Sequence, residues 1–199
     1  MDIYWVRLTF TEPLLGTIPL NQDMYAEWVQ SKATDPLAAA DERETVTCDE
    51  LIEKGTTGFH RLDDGTPMLY DYVIKGFFKD AASMLRYDTQ SGSAKLTAYR
   101  KKIDGLIFVE PRRIPIEVVG EIGILERPLR AQTAQGERVA LARSEMIAPG
   151  SSIEFSVLCL SVIKEPLLRE WFEYGALRGL GQWRNANYGR FFYEMEKRA

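Results

Sequence analysis

The pattern of apolar residues along the chain predicts three long β-strands. Residues 2–10 read DIYWVRLTF, a run rich in aromatic and β-branched side chains that stops before Pro13. Residues 152–163 (SIEFSVLCLSVI) are strongly apolar, and residues 190–195 (RFFYEM) alternate well enough for a strand near the end of the chain. Each of these segments fits a strand that lies against a core.

Two segments predict helices instead. Residues 71–87 (DYVIKGFFKDAASMLRY) place apolar side chains at i, i+3, i+4 and i+7, while Lys75 and Arg86 lie outside that stripe. Gly76 lies inside this helix, where a glycine costs about 1 kcal/mol, so we expect something else to approach the backbone closely there. A second helix begins with Pro166 in its first turn and extends roughly to residue 177.

Shorter apolar runs between the helices predict two β-hairpins. Residues 106–109 and 114–119 flank a proline, so the first hairpin would carry Arg112 and Arg113 at its tip. Residues 126–144 contain two arginine-rich runs joined by a Gln-Gly turn, which predicts the second hairpin. Charge of this kind also keeps an exposed edge hairpin soluble.

In chain order the long elements are strand, helix, strand, strand, helix, strand. This is the ferredoxin-like (RRM-like) order of the α+β class, in which two helices cover one face of a four-stranded antiparallel sheet. Residues 21–55 begin with a capping Asn and accumulate acidic side chains, so we expect a helical acidic insertion there. We expect residues 1–199 to form a single domain, with β-hairpin insertions at about residues 105–145.

The composition is that of an ordinary globular protein, with 45% hydrophobic and 27% charged residues. A chain of 199 residues buries roughly 70% of its unfolded surface, so its core needs neither a metal nor a disulfide. Cys48 and Cys159 match no metal-ligand spacing, and no apolar run approaches the roughly 18 residues of a membrane helix. No signal segment is recognisable at the start. We therefore expect a cytoplasmic protein without a cofactor, metal or membrane segment.

The net charge of −4 conceals an asymmetry between the two parts of the chain. Residues 1–71 hold 5 Lys and Arg against 14 Asp and Glu, whereas residues 72–199 hold 20 against 15. The average charge argues weakly against a polyanionic partner, but the C-terminal part is basic. A modest positive excess also fits an ordinary solvated surface, so the positions of the arginines decide between the two interpretations.

Residues 178–190 (RGLGQWRNANYGR) combine three residue types that suit nucleic-acid binding. Glycines let backbone amides approach a phosphate, arginines supply bidentate donors, and aromatic rings stack on bases. A plain helix-to-strand turn above a packed aromatic ring accounts for the same residues. Rossmann and P-loop sites fit less well, because no strand precedes the glycines and no Gly-Lys-Ser/Thr ending follows. The candidate binding residues here are Arg178, Gly179, Gly181, Trp183, Arg184, Tyr188, Gly189 and Arg190.

Catalytic chemistry has few candidates in this sequence. His60 is the one histidine, so an imidazole-based mechanism would depend on it, but a histidine in a Gly- and Asp-rich turn is usually a surface residue. Asp63, Asp64 and Asp71 could bind a divalent ion, although an Asp-Asp-Gly turn is the simpler explanation. No Ser/His/Asp or Cys/His set is present. We expect no catalytic residues, with His60 as the alternative.

Three segments together resemble the RAMP superfamily, the CRISPR-associated RNA-binding proteins. They are the glycine loop before a final strand, the preceding APGSSIEFSV, and YVIKGFFKDAASMLR with its Lys75-Gly76 pair. The resemblance covers residues 66–195 and is greatest to the backbone subunits that polymerise along guide RNA. The chain is also similar to uncharacterised prophage proteins. It departs from the family at Gln182 and Trp183, where further small residues are common.

The resemblance implies a ferredoxin-like unit with a glycine-rich loop near its C-terminus and a β-hairpin thumb. It implies Lys75 and Gly76 at a phosphate, and Arg184 against the nucleic-acid backbone. The three glycines of the loop would shape it. The hairpin would carry Arg127, Arg130 and Arg138.

These observations lead to one main hypothesis and two alternatives. The main hypothesis is a non-catalytic protein that binds single-stranded nucleic acid, RNA rather than DNA, with Trp183 or Tyr188 stacking on a base. Copies would assemble head to tail into a homo-oligomer, with acidic residues 21–64 against the basic face of a neighbour. The first alternative is a phage-encoded anti-CRISPR or interaction protein that docks on, or mimics, a CRISPR effector subunit. The second is a metal-independent endoribonuclease that uses His60.

Overall fold

A computed structural model describes residues 1–20, 56–133, 136–160 and 163–198, without the side chains of residues 129–140. These residues contain three α-helices and twelve β-strands. The chain is therefore α+β, as predicted. The expected helical insertion at residues 21–55, which includes Cys48, lies outside the described residues.

The larger sheet is built on the two long apolar strands, β1 (Asp2–Phe10) and β11 (Ser152–Cys159), which pair in antiparallel fashion. Strand β12 (Phe191–Arg198) pairs with the other edge of β1. On its far side β11 pairs with both β7 (Ile107–Glu110) and β8 (Arg113–Glu117). The order across the sheet is thus β12, β1, β11, and then β7 with β8.

Strands β7 and β8 do not form the first predicted hairpin. Both run antiparallel to β11, so they follow one another along the same edge in the same direction. Glu110 pairs with Ser156 and Ile116 with Ile153, so six residues on this edge span three on β11. The extra residues form a bulge at the proline, which has no N–H for the ladder. Arg112 therefore lies in a bulge and not at a hairpin tip.

The second predicted hairpin is confirmed. Strands β9 (Gly123–Thr133) and β10 (Gly136–Ile147) pair in antiparallel fashion and are longer than the sequence pattern indicated. Glu145, near the base of the hairpin, accepts hydrogen bonds from the Phe59 backbone N–H at 2.9 Å and from the Arg61 guanidinium at 2.5 Å. This carboxylate fixes the base of the hairpin to the rest of the chain.

Five short strands complete the two sheets. In the smaller sheet β10 pairs with β2 (Leu14–Leu15) in antiparallel fashion and with β4 (Thr56–Gly58) in parallel, and β4 pairs with β3 (Ile18–Pro19). In the larger sheet β8 pairs with β6 (Pro67–Tyr70), which pairs with β5 (His60–Arg61). The short strands therefore join the hairpin to the edge of the larger sheet.

The three described helices are α1 (Asp71–Leu85), α2 (Tyr99–Leu106) and α3 (Glu165–Arg178). Helices α1 and α3 are the two that the sequence predicts. Helix α2 was not predicted, because it has only eight residues and Ile103 is the one that is fully buried. A short 3₁₀ turn (Gly92–Lys95) lies between α1 and α2.

The core lies between α1, α3 and one face of the larger sheet. Alternate residues of β1 are buried on this face, and Phe78 of α1 contacts Phe172 of α3 with ring centroids 5.4 Å apart. A Cβ at Gly175 would lie 2.5 Å from the Phe77 ring, so glycine is required where the two helices meet. At Gly76 a Cβ would meet no described atom within 4 Å, so no described part of the chain makes the close approach expected there.

The loop between α1 and α2 is tied to α3 by one carboxylate. Glu170 accepts hydrogen bonds from the Ser91 hydroxyl, from the Gly92 backbone N–H at 2.8 Å and from the Ser93 hydroxyl at 2.8 Å. The indole N–H of Trp171 donates to the same Ser93 hydroxyl at 2.9 Å. Desolvation opposes ionisation of Glu170, but these donors outweigh it and lower the pKa of the carboxyl group.

The opposite face of the larger sheet, which we call the open face, is acidic. Its central basic residue, Arg7, lies 3.1 Å from both Glu117 and Glu154. Arg198 lies over the ring of Trp5, with its guanidinium carbon 5.8 Å from the centroid. The strand registers place five carboxylates on this face, namely Glu110, Glu117, Glu154, Glu194 and Glu196. A polyanion is therefore disfavoured across the open face.

Candidate nucleic-acid interface

The glycine loop follows α3 and closes on itself. Gly179 and Gly189 have φ of +83° and +70°, and a Cβ at either position would lie 2.2 Å or less from a carbonyl oxygen of the facing loop segment. Their N–H groups donate to the carbonyls of Gly175 and Pro13, at 2.7 and 2.8 Å. These two glycines shape the loop, and in this conformation their amides are engaged within the chain and do not face an anion.

The hairpin and the loop, which the sequence predicted separately, meet at Arg127. Its guanidinium carbon lies 5.6 Å from the Trp183 ring centroid and 5.2 Å from the Tyr188 ring centroid. The two rings contact each other edge to face at 6.1 Å. A guanidinium that stacks on aromatic rings keeps its N–H groups for a phosphate. The contact therefore joins a stacking surface to an anion-binding group.

Two further arginines of the loop share a single carboxylate from α1. Asp80 Oδ2 lies 2.8 Å from Arg184 Nη1 and 3.7 Å from Arg178 Nε. Arg178 also donates to the side-chain oxygen of Asn185. Asp80 and the two guanidinium groups leave one unit of positive charge, and each guanidinium has five N–H donors. Asp80 thus orients both arginines without neutralising the pair.

Arg190 has a different role from its neighbours. Its Nε donates to the carbonyl of Leu177 at 2.8 Å, at the last turn of α3. A cation at the C-terminal end of a helix satisfies a carbonyl and complements the helix dipole. Arg190 therefore caps the C-terminal end of α3.

A cavity of about 510 Å³ opens where the loop faces the hairpin. Gly181, with φ of +83°, forms part of its wall, and a Cβ there would lie 3.0 Å from the Leu15 carbonyl oxygen. The described residues that line this cavity include three arginines and no carboxylate. They are Arg127, Arg178, Gly181, Trp183, Arg184, Asn185 and Ala186.

Two more cavities continue from the first across α1. The middle one, of about 520 Å³, shares Arg184 with the loop cavity, and the outer one, of about 280 Å³, shares Tyr99 and Arg100 with the middle one. We call the three together the basic groove. Asp80 is the only carboxylate among its described lining residues. Its basic residues are Lys79, Arg86, Arg100, Lys101, Arg127, Arg178 and Arg184.

Apart from Gly76, no residue on the α1–α2 side of this groove was predicted to bind. Lys79 lies in α1 and Arg86 caps it, and only the apolar stripe of that segment was interpreted. Tyr99 belongs to a segment for which no element was predicted. The basic run at residues 99–102 (YRKK) was the one available signal. Lys79 is paired with Asp104 at 2.5 Å, so it contributes less free charge than the others.

Lys75 and Gly76 do not face the same cavity. Gly76 lines the middle cavity of the basic groove. The Lys75 ammonium lies 5.1 Å from the Phe108 ring centroid, in a separate cavity of about 660 Å³ that also contains Arg112. In the β9–β10 hairpin Arg130 pairs with Val139 and Arg138 with Ala131, and the side chains of both arginines are outside the described part of the chain.

The residues considered for catalysis lie outside the basic groove. The His60 ring packs edge-on against Tyr70 at 4.7 Å, and burial lowers its pKa. Asp64 accepts a hydrogen bond from the Thr66 backbone N–H at 2.9 Å, which lowers the pKa of its carboxyl group and marks a turn. Burial raises the pKa of Cys159 to about 12.

The described ranges contain neither a candidate metal site nor a helix suited to a membrane. Residues 1–20, 56–133, 136–160 and 163–198 contain no group of three or more His, Cys, Asp or Glu residues that could hold a metal ion. None of the helices in these ranges is long and apolar enough to span a membrane.

No protein-family model matches the chain, and no curated protein matches it. Among solved structures, a chain of the Type III-B Cmr-beta complex bound to cognate target RNA matches with a TM-score of 0.57 and 12% identity. The match covers 98% of this chain and 60% of that one, so the chain spans well under two thirds of its neighbour. The fold resembles that of a CRISPR-complex subunit.

A chain of a Type IV-B CRISPR complex matches with a TM-score of 0.48 and 9% identity, over 98% of this chain and 90% of that one. Of the predicted resemblance, the Cmr-beta match shows only a likeness of overall fold to a chain of a CRISPR complex. The expected likeness to prophage proteins has no support in these comparisons.

Proposed function

We propose that the chain is a non-catalytic protein that binds single-stranded RNA in the basic groove. The observation that carries the proposal is the groove itself, in which seven Lys and Arg side chains surround one carboxylate. Positive side chains beside half-buried aromatic rings suit a single strand without selecting its sequence. The neighbouring Cmr-beta complex is bound to cognate target RNA, which favours RNA over DNA.

Phosphates would bind chiefly by charge-assisted hydrogen bonds from the arginines of the loop cavity. Asp80 holds one edge of Arg184, so a phosphate would contact the N–H groups that remain. A base would stack beside Trp183 or Tyr188, next to the guanidinium of Arg127. Because these contacts address the sugar-phosphate chain and the faces of bases, affinity would depend on salt more than on sequence.

The same proposal includes a ferredoxin-like unit within a single domain of residues 1–199. The sheet order β12, β1, β11, and β7 with β8, with α1 before β7 and α3 before β12, supports this arrangement. The β9–β10 hairpin would be its thumb. The acidic open face has the opposite charge to the arginine-rich hairpin, which supports head-to-tail assembly of copies in the cytoplasm.

The test is an anisotropy titration of labelled oligouridine at several salt concentrations. An Arg127→Ala, Arg184→Ala double variant should bind at least about tenfold more weakly, with its log–log salt slope lowered by about 1.4, since two phosphate contacts are lost. A Lys95→Ala, Lys164→Ala variant removes the same charge from exposed positions outside the groove and should bind like wild type. Unchanged affinity and slope in the arginine variant would refute the proposal.

The acidic open face favours a second candidate, an interaction protein that docks on a basic surface of a CRISPR effector subunit. The face has five glutamates against three arginines, Arg7, Arg113 and Arg198, which complements a cationic protein surface. This candidate predicts no affinity of wild-type protein for oligonucleotide, and loss of a purified subunit complex on Glu194→Lys, Glu196→Lys substitution. No observation favours the endoribonuclease, because His60 lines no part of the basic groove in the described residues.

A further inference from the structure

We infer that the bound strand crosses α1 at Gly76 and that a second phosphate binds in the outer cavity, to Arg86, Arg100 and Lys101. The inference rests on the proposed function and adds the path of the bound strand. The strand would run from the glycine loop over the helices and away from the open face of the sheet. It assigns α2, which the sequence did not predict, a part in binding.

Continuity of the groove is the first argument. Arg184 belongs to both the loop cavity and the middle cavity, and Arg100 belongs to both the middle and the outer cavity. Gly76 lines the middle cavity on the exposed side of α1, and a Cβ there would meet no described atom within 4 Å. A helix interior disfavours glycine, so a residue without a side chain at this point leaves the passage open.

The chemistry of the outer cavity is the second argument. Its described lining residues are Arg86, Ala98, Tyr99, Arg100 and Lys101, with three cations and no carboxylate. Arg100 Nε donates to the Tyr99 hydroxyl at 3.2 Å, and its guanidinium carbon lies 5.8 Å from the Tyr99 ring centroid. The ring therefore orients the guanidinium before any ligand arrives, while most of its donors stay available.

The Tyr99 hydroxyl lies among hydrogen-bond donors and positive charges that favour an anion in this cavity. Hydrogen bonds from Ser83 and then from Arg100 lower its pKa, and the charges of Arg100 and Arg86 lower it further. Groups that favour a phenolate also favour a phosphate oxygen at the same place.

Backbone conformation at both ends of the groove is the third argument. Ala98 has φ of +52° and lines the outer cavity, and Trp183 has φ of +49° and lines the loop cavity. Asn187, in the same loop as Trp183, is the one other residue besides glycine with positive φ in the described ranges. Left-handed residues that carry a Cβ are uncommon and concentrate at binding sites.

The experiment compares two lengths of oligouridine, roughly 4 and 12 nucleotides, within the range of site sizes seen for single-strand binders. The variant is Arg100→Ala, Lys101→Ala, and the control is again Lys95→Ala, Lys164→Ala. The longer oligonucleotide should bind the variant about tenfold more weakly, with the salt slope lowered by about 1.4. The shorter one, which fills only the loop cavity, should bind variant and wild type equally.

A second variant tests the passage over α1 without removing charge. Gly76→Leu should fold at least as stably as wild type, because leucine favours a helix and the site is open. It should weaken binding of the longer oligonucleotide and leave the shorter one unaffected. Thermal unfolding of each variant separates loss of binding from loss of fold.

The outcomes distinguish the inference from the proposed function. If wild-type protein binds neither oligonucleotide, the proposed function fails and the inference with it. If wild type binds both, and both variants bind the longer one as wild type does, the inference alone is wrong. Equal weakening of the short and the long oligonucleotide also overturns it, because the outer cavity would then not be a separate position.

Discussion

The basic groove and the open face of the sheet use the same arrangement with opposite sign. On the open face one cation, Arg7, lies between two carboxylates, Glu117 and Glu154. In the groove one carboxylate, Asp80, lies between two cations, Arg178 and Arg184. Each central group orients its two neighbours and leaves one unit of charge over, negative on the sheet and positive beside the helices.

This comparison shows why the overall charge of −4 says little about the partner. A polyanion responds to the local potential within about 8 to 10 Å at physiological salt, not to the sum over the chain. One molecule can therefore offer a surface for a nucleic acid and another for a basic protein.

The largest effect should come from a substitution that disrupts the glycine loop, which carries Trp183 and Arg184 of the basic groove. Gly189→Ala places a Cβ 1.9 Å from the Leu180 carbonyl oxygen at φ of +70°, so the loop must open. We expect unfolding free energy to fall by about 3 kcal/mol, measured by urea denaturation. Gly65→Ala is the matched control, since Gly65 has φ of +86° but no described atom within 4 Å, and it should cost about 1 kcal/mol. Equal losses would show that the contact with Leu180 is unimportant.

A medium effect should come from the central carboxylate of the groove. Asp80→Asn removes the negative charge that competes with a phosphate for Arg184, so oligouridine should bind about fivefold more tightly, equivalent to about 1 kcal/mol. On the open face Arg7→Gln should leave the affinity unchanged. Weaker binding by Asp80→Asn would mean that orienting the arginines matters more than competition, and would contradict the comparison.

The smallest effect should come from replacing Glu170, the carboxylate that ties the loop before α2 to α3. Hydrogen bonds lower the pKa of Glu170 in the folded chain, so its stabilising contribution is complete above the unfolded pKa and is lost as the pH falls through the folded value. Between about pH 6 and pH 3 the Glu170→Gln variant should lose less stability than wild type, as measured by thermal unfolding. Parallel pH profiles for the two proteins would contradict this assignment.

Much of the fold could be predicted from the sequence, because its long elements have strong patterns. The residues of β1, β11 and β12 alternate or form apolar runs, α1 has a complete apolar stripe, and the Gln-Gly turn marks the second hairpin. The edge of β7 and β8 was misread because two short runs around a proline look like a hairpin, whereas their true partner, β11, lies far along the chain.

The site could be predicted only in part, for a similar reason. Arginine, glycine and aromatic residues in one segment indicated the loop without any knowledge of its neighbours. The position of Asp80 between two loop arginines depends on how α1 packs against the loop. The outer cavity depends on α2, which has only eight residues and one fully buried side chain, Ile103, so its pattern covers too few positions to stand out. Contacts between distant segments have no local signature.

Because Arg127 contacts the Trp183 ring, the fluorescence of Trp183 depends on the position of the hairpin. The guanidinium covers the indole only while the hairpin lies against the loop. A swing of the hairpin would expose the indole to water, and a nucleobase stacked in place of the guanidinium would quench its emission. Steady-state emission of Trp183, measured after the other tryptophans are replaced by phenylalanine, would therefore report any movement of the hairpin away from the loop.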